Sequence, residues 1–197
     1  MKLNWAERRA VNNPLRIVQQ RLEIRWMRKR VPFAPGSIVL EVGCGRGAGA
    51  EIIQEEFHPA VLQAMDLDIQ MIQRAQKFLS PPKRAGISFY VGDVMKLPYQ
   101  DEALDAAFGF GVLHHIPDWK EAVVEISSVL KPGGLFFFEE LYPSLYQNLI
   151  TKHILLHPQE NRFRSHDLKQ ALKAAKLTPS QYLECKYLGI FGFSSKE

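Results

Sequence analysis

Three features of the sequence predict an α/β protein built on a doubly wound, mostly parallel sheet. The first is the stretch Ser37–Gly49, which reads as a strand, a glycine loop and the start of a helix. The second is the alternation that follows, in which short apolar runs take turns with helical patterns. The third is a pair of strands at the end of the chain, which predicts an antiparallel hairpin at one edge of the sheet. At 197 residues the chain has the size of one domain with a sizeable core.

Residues 5–30 carry a helical pattern. Val11, Leu15, Val18, Leu22 and Trp26 recur at three- and four-residue steps and share one face, while Arg21, Arg25 and Arg28 lie along another. Asn12-Asn13-Pro14 divides a short first helix from a longer second one, with Pro14 near the start of the second. The expected arrangement packs the apolar stripe on the main domain and leaves the charges in water. A sharper reading makes this segment a lid over the active site that also attracts an anionic substrate, a nucleic acid or a membrane surface. Pro32-Phe33-Ala34-Pro35-Gly36 is a breaker cluster. It separates residues 1–35, a basic helical extension or lid, from the main domain at 36–197.

Within the main domain, Ile38–Val42 is a short apolar run with one acid, Glu41, inside it, as in a buried parallel strand. Four glycines follow at every second position, from Gly43 to Gly49, and residues 50–57 read as a helix. Strand, glycine loop and helix together bring backbone N–H groups to a ligand at a helix N-terminus. Residues 60–65 form a second strand that ends at Asp66-Leu67-Asp68. Asp66 lies 23 residues after Gly43, near the spacing of an acid that binds ribose hydroxyls, and a carboxylate can accept two hydrogen bonds from a vicinal diol. Asp68 suits the N-cap of the helix 69–79 better. After the break at 80–86, residues 87–91 form a third strand followed by Gly92-Asp93-Val94. Asp93, just beyond a strand end, can accept from an adenine amino group, with Val94 and Leu97 against the ring. A fourth strand lies around 106–110, a helix at 119–130, a turn at Lys131-Pro132-Gly133-Gly134 and a fifth strand at 135–141. Residues 142–157 are apolar and aromatic with helical character. Ser165 is expected to cap a helix at 165–176, and residues 181–188 and 189–195 read as the final strand pair.

Composition narrows the function classes. Hydrophobic content of 46% and charged content of 23% are those of an ordinary globular protein. No apolar run is long enough to span a bilayer, and the charged N-terminus lacks the apolar core of a signal peptide, so a cytoplasmic location is expected. The net charge of +4 is unevenly placed. Residues 1–30 hold nine Lys/Arg against Glu7 and Glu23, a net +7, which leaves the remainder at −3. The sequence has no nucleic-acid-binding motif, which weighs against a nucleic-acid partner. The two cysteines, Cys44 and Cys185, give no disulfide framework, and Cys44 reads as a small residue that fits the glycine loop rather than as a nucleophile.

Two cofactor classes fit the glycine loop. Gly43-x-Gly45-x-x-Ala48 satisfies a dinucleotide pattern. Glu41-Val42-Gly43-Cys44-Gly45-Arg46-Gly47 satisfies another, an acid two residues before G-x-G-x-G, and resembles motif I of the class I S-adenosyl-L-methionine (SAM)-dependent methyltransferases. Met65-Asp66-Leu67-Asp68, Gly92-Asp93-Val94 with Leu97-Pro98-Tyr99, Leu113-His114-His115-Ile116-Pro117-Asp118 and Leu130-Lys131-Pro132-Gly133-Gly134 resemble later motifs of the same family, in the same order. The nearest likeness is to the type 11 branch, which includes ubiquinone/menaquinone-biosynthesis methyltransferases. The resemblance covers about residues 36–141.

This resemblance implies a Rossmann-like, seven-stranded sheet with an antiparallel last strand, helices on both faces and SAM above the strand ends. Glu41 and the loop Gly43, Cys44, Gly45 and Gly47 would hold the methionyl part. Asp66 with Leu67 would hold the ribose, Asp93 with Val94 the adenine, and Phe110 to Leu113 would flank the sulfonium. The product would be S-adenosyl-L-homocysteine. The methyl acceptor is expected to be a small apolar or aromatic molecule. A SAM-binding protein without turnover, and an NAD-dependent enzyme, are the alternatives.

SAM carries its own leaving group, so a base is needed only for an acceptor that arrives protonated. His114 and His115, after the fourth strand, are the candidates. Glu139 and Glu140, at the end of the fifth strand, either orient the acceptor or cap the strand at its solvent edge. The fourth strand ends in Gly109-Phe110-Gly111-Val112, not in an Asn/Asp-Pro-Pro-Tyr/Phe run, which argues against methylation of adenine or glutamine amide nitrogens. His153 and His157 have i, i+4 spacing, but no third ligand is near them in sequence, so no metal is expected.

Overall fold

The computed structural model describes residues 13–146 and 161–197. The elements in chain order are α1 (Pro14–Arg28), β1 (Ile38–Val42), α2 (Ala48–Phe57), β2 (Val61–Asp66), α3 (Ile69–Phe78), the short α4 (Pro81–Arg84), β3 (Ile87–Val91) and β4 (Leu104–Phe110). A 3₁₀ turn at Leu113–His115 precedes α5 (Trp119–Val129), β5 (Leu130–Leu141), the single turn α6 (Pro143–Tyr146), α7 (Ser165–Ala174), β6 (Leu177–Cys185) and β7 (Gly189–Lys196).

The seven strands form one sheet in the order β3-β2-β1-β4-β5-β7-β6. Pairs from β3 to β5 are parallel, and β7 runs antiparallel between β5 and β6. The chain steps outward from β1 to β3, then returns to start again at β4 beside β1. Loops after β1 and β4 therefore leave in opposite directions and open a crevice between them, where doubly wound sheets bind ligands.

Strand alternation divides the core into two layers. Leu40, Val42, Phe136 and Phe138 face α5 and α7, with Trp119, Val123, Leu168 and Leu172 packed on them. Val39, Phe108 and Phe137 face the other way, against Ile52, Ile53 and Phe57 of α2 and Ile24 and Met27 of α1. Phe137 stacks on Phe108 with ring centroids 4.3 Å apart and meets Phe57 edge-on at 5.3 Å.

Several sequence expectations are corrected. The stripe on α1 faces outward: Leu15, Val18 and Leu22 are 74%, 58% and 63% exposed, while Gln20, Glu23, Ile24 and Met27 are buried. Ion pairs and hydrogen bonds to α2 fix this rotation. Arg21 pairs with Glu55 at 2.6 Å, Arg25 with Glu56 at 2.6 Å, and Arg28 Nε donates to the Glu56 carbonyl. Pro14 does open the helix, with Asn13 Oδ1 accepting from the Leu15 N–H. The expected short helix before it lies largely outside the described residues, as do His153, His157 and most of the apolar segment 142–157. Lys131–Gly134 is not a separate turn but the irregular start of β5, where the register with β4 shifts and Gly133 takes φ +76°. Ser165 is the first helical residue of α7 and not its cap, and the Asp167 carboxylate accepts from the Arg164 N–H instead. No helix among the described residues is long and apolar enough to cross a membrane.

Phe137→Ala, which empties the centre of the α1/α2 layer, should cost about 3–5 kcal/mol of stability in urea unfolding.

Candidate functional site

The crevice between the loops after β1 and β4 is a cavity of about 450 Å³, within the range of roughly 300–1,000 Å³ typical of small-ligand sites. Gly43 and Gly45 border it after β1, Asp66 and Leu67 after β2, Asp93 and Val94 after β3, and Phe110, His114 and His115 after β4. Arg16 and Gln19 of α1, with Glu139 and Leu141 of β5, line it as well. Of the residues expected to hold a cofactor, Glu41, Cys44 and Gly47 do not line the cavity.

The loop after β1 is shaped by backbone requirements. Gly43 and Gly45 take φ +68° and +55°, and a Cβ on Gly43 would lie 2.4 Å from Val112 Cγ2. The Cys44 N–H donates to the Met65 carbonyl at 2.8 Å, and the Gly45 N–H donates to Asp66 Oδ2 at 2.9 Å. Asp66 Oδ1 accepts from the Asp68 N–H at 2.9 Å, and Asp68 in turn caps α3 by accepting from the Gln70 N–H. Asp66 thus braces the loop with one lone pair on each oxygen. The second lone pair on each oxygen suits a vicinal diol. Burial raises the Asp66 pKa, opposed by the two backbone donors.

Glu41 lies beneath the loop. A Cβ on Gly49 would sit 2.0 Å from its Oε1, so only glycine admits the carboxylate under the start of α2. Its Oε2 is buried without a hydrogen-bond partner. Burial, followed by the charge of Asp66, pushes its pKa well up, against a hydrogen bond from the Ala50 N–H. The same environment pushes the Cys44 thiol up, chiefly by burial and then through Glu41 and Asp66, which disfavours a thiolate there.

Asp93 is exposed, and its Oδ1 accepts from the Met95 N–H at 3.0 Å in a turn closed by the Lys96 N–H. Its other oxygen and the buried Val94 and Leu97 suit an amino-bearing aromatic ring. The set of residues present therefore fits an adenosyl group: paired acceptors for a diol, an acceptor beside an apolar slot, and a glycine loop packed too closely on Val112 to admit a Cβ at Gly43.

Glu139 and Glu140 are both buried, so neither caps the strand at a solvent edge. Strand alternation sends them to opposite faces. Glu139 forms a close ion pair with Arg16, which also lies 3.7 Å from Glu23. Burial works against the Arg16 charge, but Glu139 and Glu23 hold its pKa above the ordinary value. Glu140 meets the loop after β4. Its Oε1 accepts from the Val112 and Leu113 N–H groups at 3.1 and 2.8 Å, and its Oε2 lies 2.7 Å from His114 Nδ1. The rings of His114 and His115 are 4.3 Å apart. The sequence reading missed Arg16, and the signal for the opposed roles of Glu139 and Glu140 was their adjacency in a strand.

Glu23 gives a pH signature. Burial and the charge of Glu139 push its pKa up to about 7, against Arg16 and a hydrogen bond from Gln19. The folded protein holds this proton to higher pH than the unfolded chain. The stabilisation is full below about pH 4.5 and is lost as pH rises towards 7. Relative to Glu23→Gln, the wild type should lose up to about 3 kcal/mol across that window in urea unfolding.

Comparison with known proteins agrees with this geometry. The family described as "Methyltransferase domain" matches residues 40–138, just over half of the chain. A phthiotriol/phenolphthiotriol dimycocerosates methyltransferase of Mycobacterium ulcerans is 35% identical over 109 residues, covering 55% of this chain and 39% of that protein. A fatty-acid O-methyltransferase of Mycolicibacterium smegmatis is 34% identical over 108 residues, covering 55% and 38%. The matched stretch thus spans about two fifths of the length of these curated relatives. The structure of a SAM-dependent methyltransferase from Aquifex aeolicus superposes over 100% of both chains with a TM-score of 0.77 at 16% identity, which shows the fold. From the order of its motifs, its sheet and this match, the chain belongs to the class I SAM-dependent methyltransferases, in the type 11 branch.

Proposed function

We propose that the protein transfers the methyl group of SAM to a small apolar or aromatic acceptor by in-line displacement, chiefly by holding the two reactants aligned and dry. The observation that carries this reading is the continuity of the cavity. It joins the adenosyl-type residues at one end to Ile116, Leu141 and the underside of α1 at the other. A second cavity of about 300 Å³ shares Gln19, Glu139 and Leu141 with it and continues along Leu183, Leu188, Ile190 and Phe191, which gives room for an apolar acceptor. A relative named for a fatty acid as its acceptor supports the same class.

In this reading Gly43 and Gly45 form the cradle for the methionyl part, and Cys44, Gly47 and Glu41, which do not line the cavity, act from behind by fixing the shape of the loop. Asp66 and Leu67 take the ribose, Asp93 and Val94 the adenine, and Phe110 flanks the sulfonium. When bound, SAM supplies an activated methyl with a thioether leaving group. The described part of the N-terminal extension, residues 13–35, acts as a lid on the domain at 36–197, through Arg16 and Gln19 over the acceptor end. Arg21 and Arg25 pair with Glu55 and Glu56, so in this reading these charges serve lid docking, and an anionic substrate or membrane surface is the other role proposed for the basic helix. The reaction is assigned to the cytoplasm.

Calorimetric titration with SAM, S-adenosyl-L-homocysteine and NAD tests this function. Both adenosyl ligands should bind. Asp66→Ala and Asp93→Ala should each weaken them by about 10-fold or more, the loss expected for hydrogen bonds to a charged acceptor. Gly43→Ala should abolish binding while the protein stays folded. Binding of NAD alone would overturn the reading. Binding of SAM without transfer of labelled methyl to any alcohol, phenol or carboxylic acid offered would favour a SAM-binding protein without turnover.

A further inference from the structure

We propose that Glu140 and His114 form a base dyad for an acceptor that arrives with its proton on oxygen, a hydroxyl rather than a carboxylate. This inference rests on the methyltransferase reading above and deepens it.

Glu140 is 0% exposed and surrounded by donors. Oε1 accepts from the N–H groups of Val112 and Leu113, and Oε2 faces the N–H of His114 at 3.3 Å and its Nδ1 at 2.7 Å. The three backbone N–H groups call for an acceptor at both oxygens, so the His114 ring meets a carboxylate oxygen that accepts. Nδ1 therefore carries the hydrogen, and in the neutral ring that the proposal requires the basic lone pair sits on Nε2. His114 lines the cavity just beyond Phe110, at the end of β4. The dyad has the parts of an oriented general base. A buried carboxylate fixes the tautomer and stabilises the imidazolium that forms. His115 shares the cavity and stacks beside His114, but the carboxylate contact selects His114.

The chemistry of the acceptor follows. A carboxylic acid is already ionised at neutral pH and needs no base. A hydroxyl must lose its proton as it reacts. Its oxygen lone pair forms the new O–C bond to the methyl carbon, the C–S bond breaks with its electron pair returning to sulfur, and the hydroxyl proton passes to His114 Nε2. The products are a methyl ether and S-adenosyl-L-homocysteine, and the proton leaves His114 to solvent. His114 is the catalytic residue and Glu140 its positioning residue.

Glu140→Gln separates positioning from support of the loop. The amide oxygen can still accept from Val112 and Leu113, the closer loop contacts, while the NH₂ group gives up the 3.3 Å contact with the His114 N–H, faces Nδ1 as a donor and drives the imidazole to the Nε2–H tautomer. The test is ¹⁵N-histidine NMR of the intact protein without ligand, with the His114 signals assigned by their loss in His114→Gln. Wild-type His114 should be the Nδ1–H tautomer, and Glu140→Gln should reverse it. Wild-type Nε2–H, or a tautomer unmoved by Glu140→Gln, overturns the dyad. Calorimetry should find SAM bound within about twofold of wild type by both variants, as expected for groups outside the adenosyl contacts. With 1-dodecanol, 4-octylphenol and dodecanoate as probes, both variants should lose about 100-fold or more in kcat towards the hydroxyl probes with little change in KM. Faster methylation of dodecanoate than of either hydroxyl probe, or full activity in His114→Gln, also overturns the proposal. Failure of the wild type to bind SAM would instead refute the underlying methyltransferase reading.

Discussion

The reversal of strand order between β1 and β4 is the constraint on which the site depends. It parts two loops that would otherwise run side by side, so that beyond the close approach of Gly43 and Val112 each must be held from its outer side. The structure solves this twice in the same way. After β1, the Cys44 N–H reaches the Met65 carbonyl of β2, and Asp66 at the end of β2 accepts from Gly45. After β4, the Gly111 N–H reaches the Glu139 carbonyl of β5, and Glu140 near the end of β5 accepts from the loop at 112–114. Each outer strand sends a carboxylate to brace the loop of the inner strand beside it. In the proposed reaction Asp66 also binds the ligand and Glu140 also acts through His114, so support and chemistry would share the same atoms.

Much of this was legible in the sequence because it depends on local pattern. β1, the glycine loop and α2 follow from five apolar-strand positions and glycines that a close backbone demands. Asp68 as the cap of α3 follows from helix-end chemistry, and that left Asp66 for the crevice. The edge pair β6–β7 follows from two late strand patterns, although β6 begins at Leu177, four residues before the expected start.

The features that escaped depend on contacts between distant segments. Arg16 meets Glu139 across 123 residues, and no local pattern announces such a pair. On α1 the periodicity gave a correct face but not its direction. Leu15, Val18 and Leu22 share a side, yet pairing of Arg21 and Arg25 with Glu55 and Glu56 rotates that side to solvent. Two adjacent acids in a strand must point to opposite faces, so Glu139 and Glu140 could have been given separate roles. Their burial, however, was visible only once α1 and the loop after β4 were placed upon them.

The central claim is that this crevice holds the adenosyl donor with its reacting end towards His114. A crystal structure of the protein with S-adenosyl-L-homocysteine tests it most directly. The account predicts ribose hydroxyls on Asp66, adenine between Asp93 and Val94, and the sulfur beside Phe110 on the side of His114. An adenosyl group seated elsewhere, such as the cavity along β6 and β7, or one lying in the crevice in the reverse direction, would contradict it.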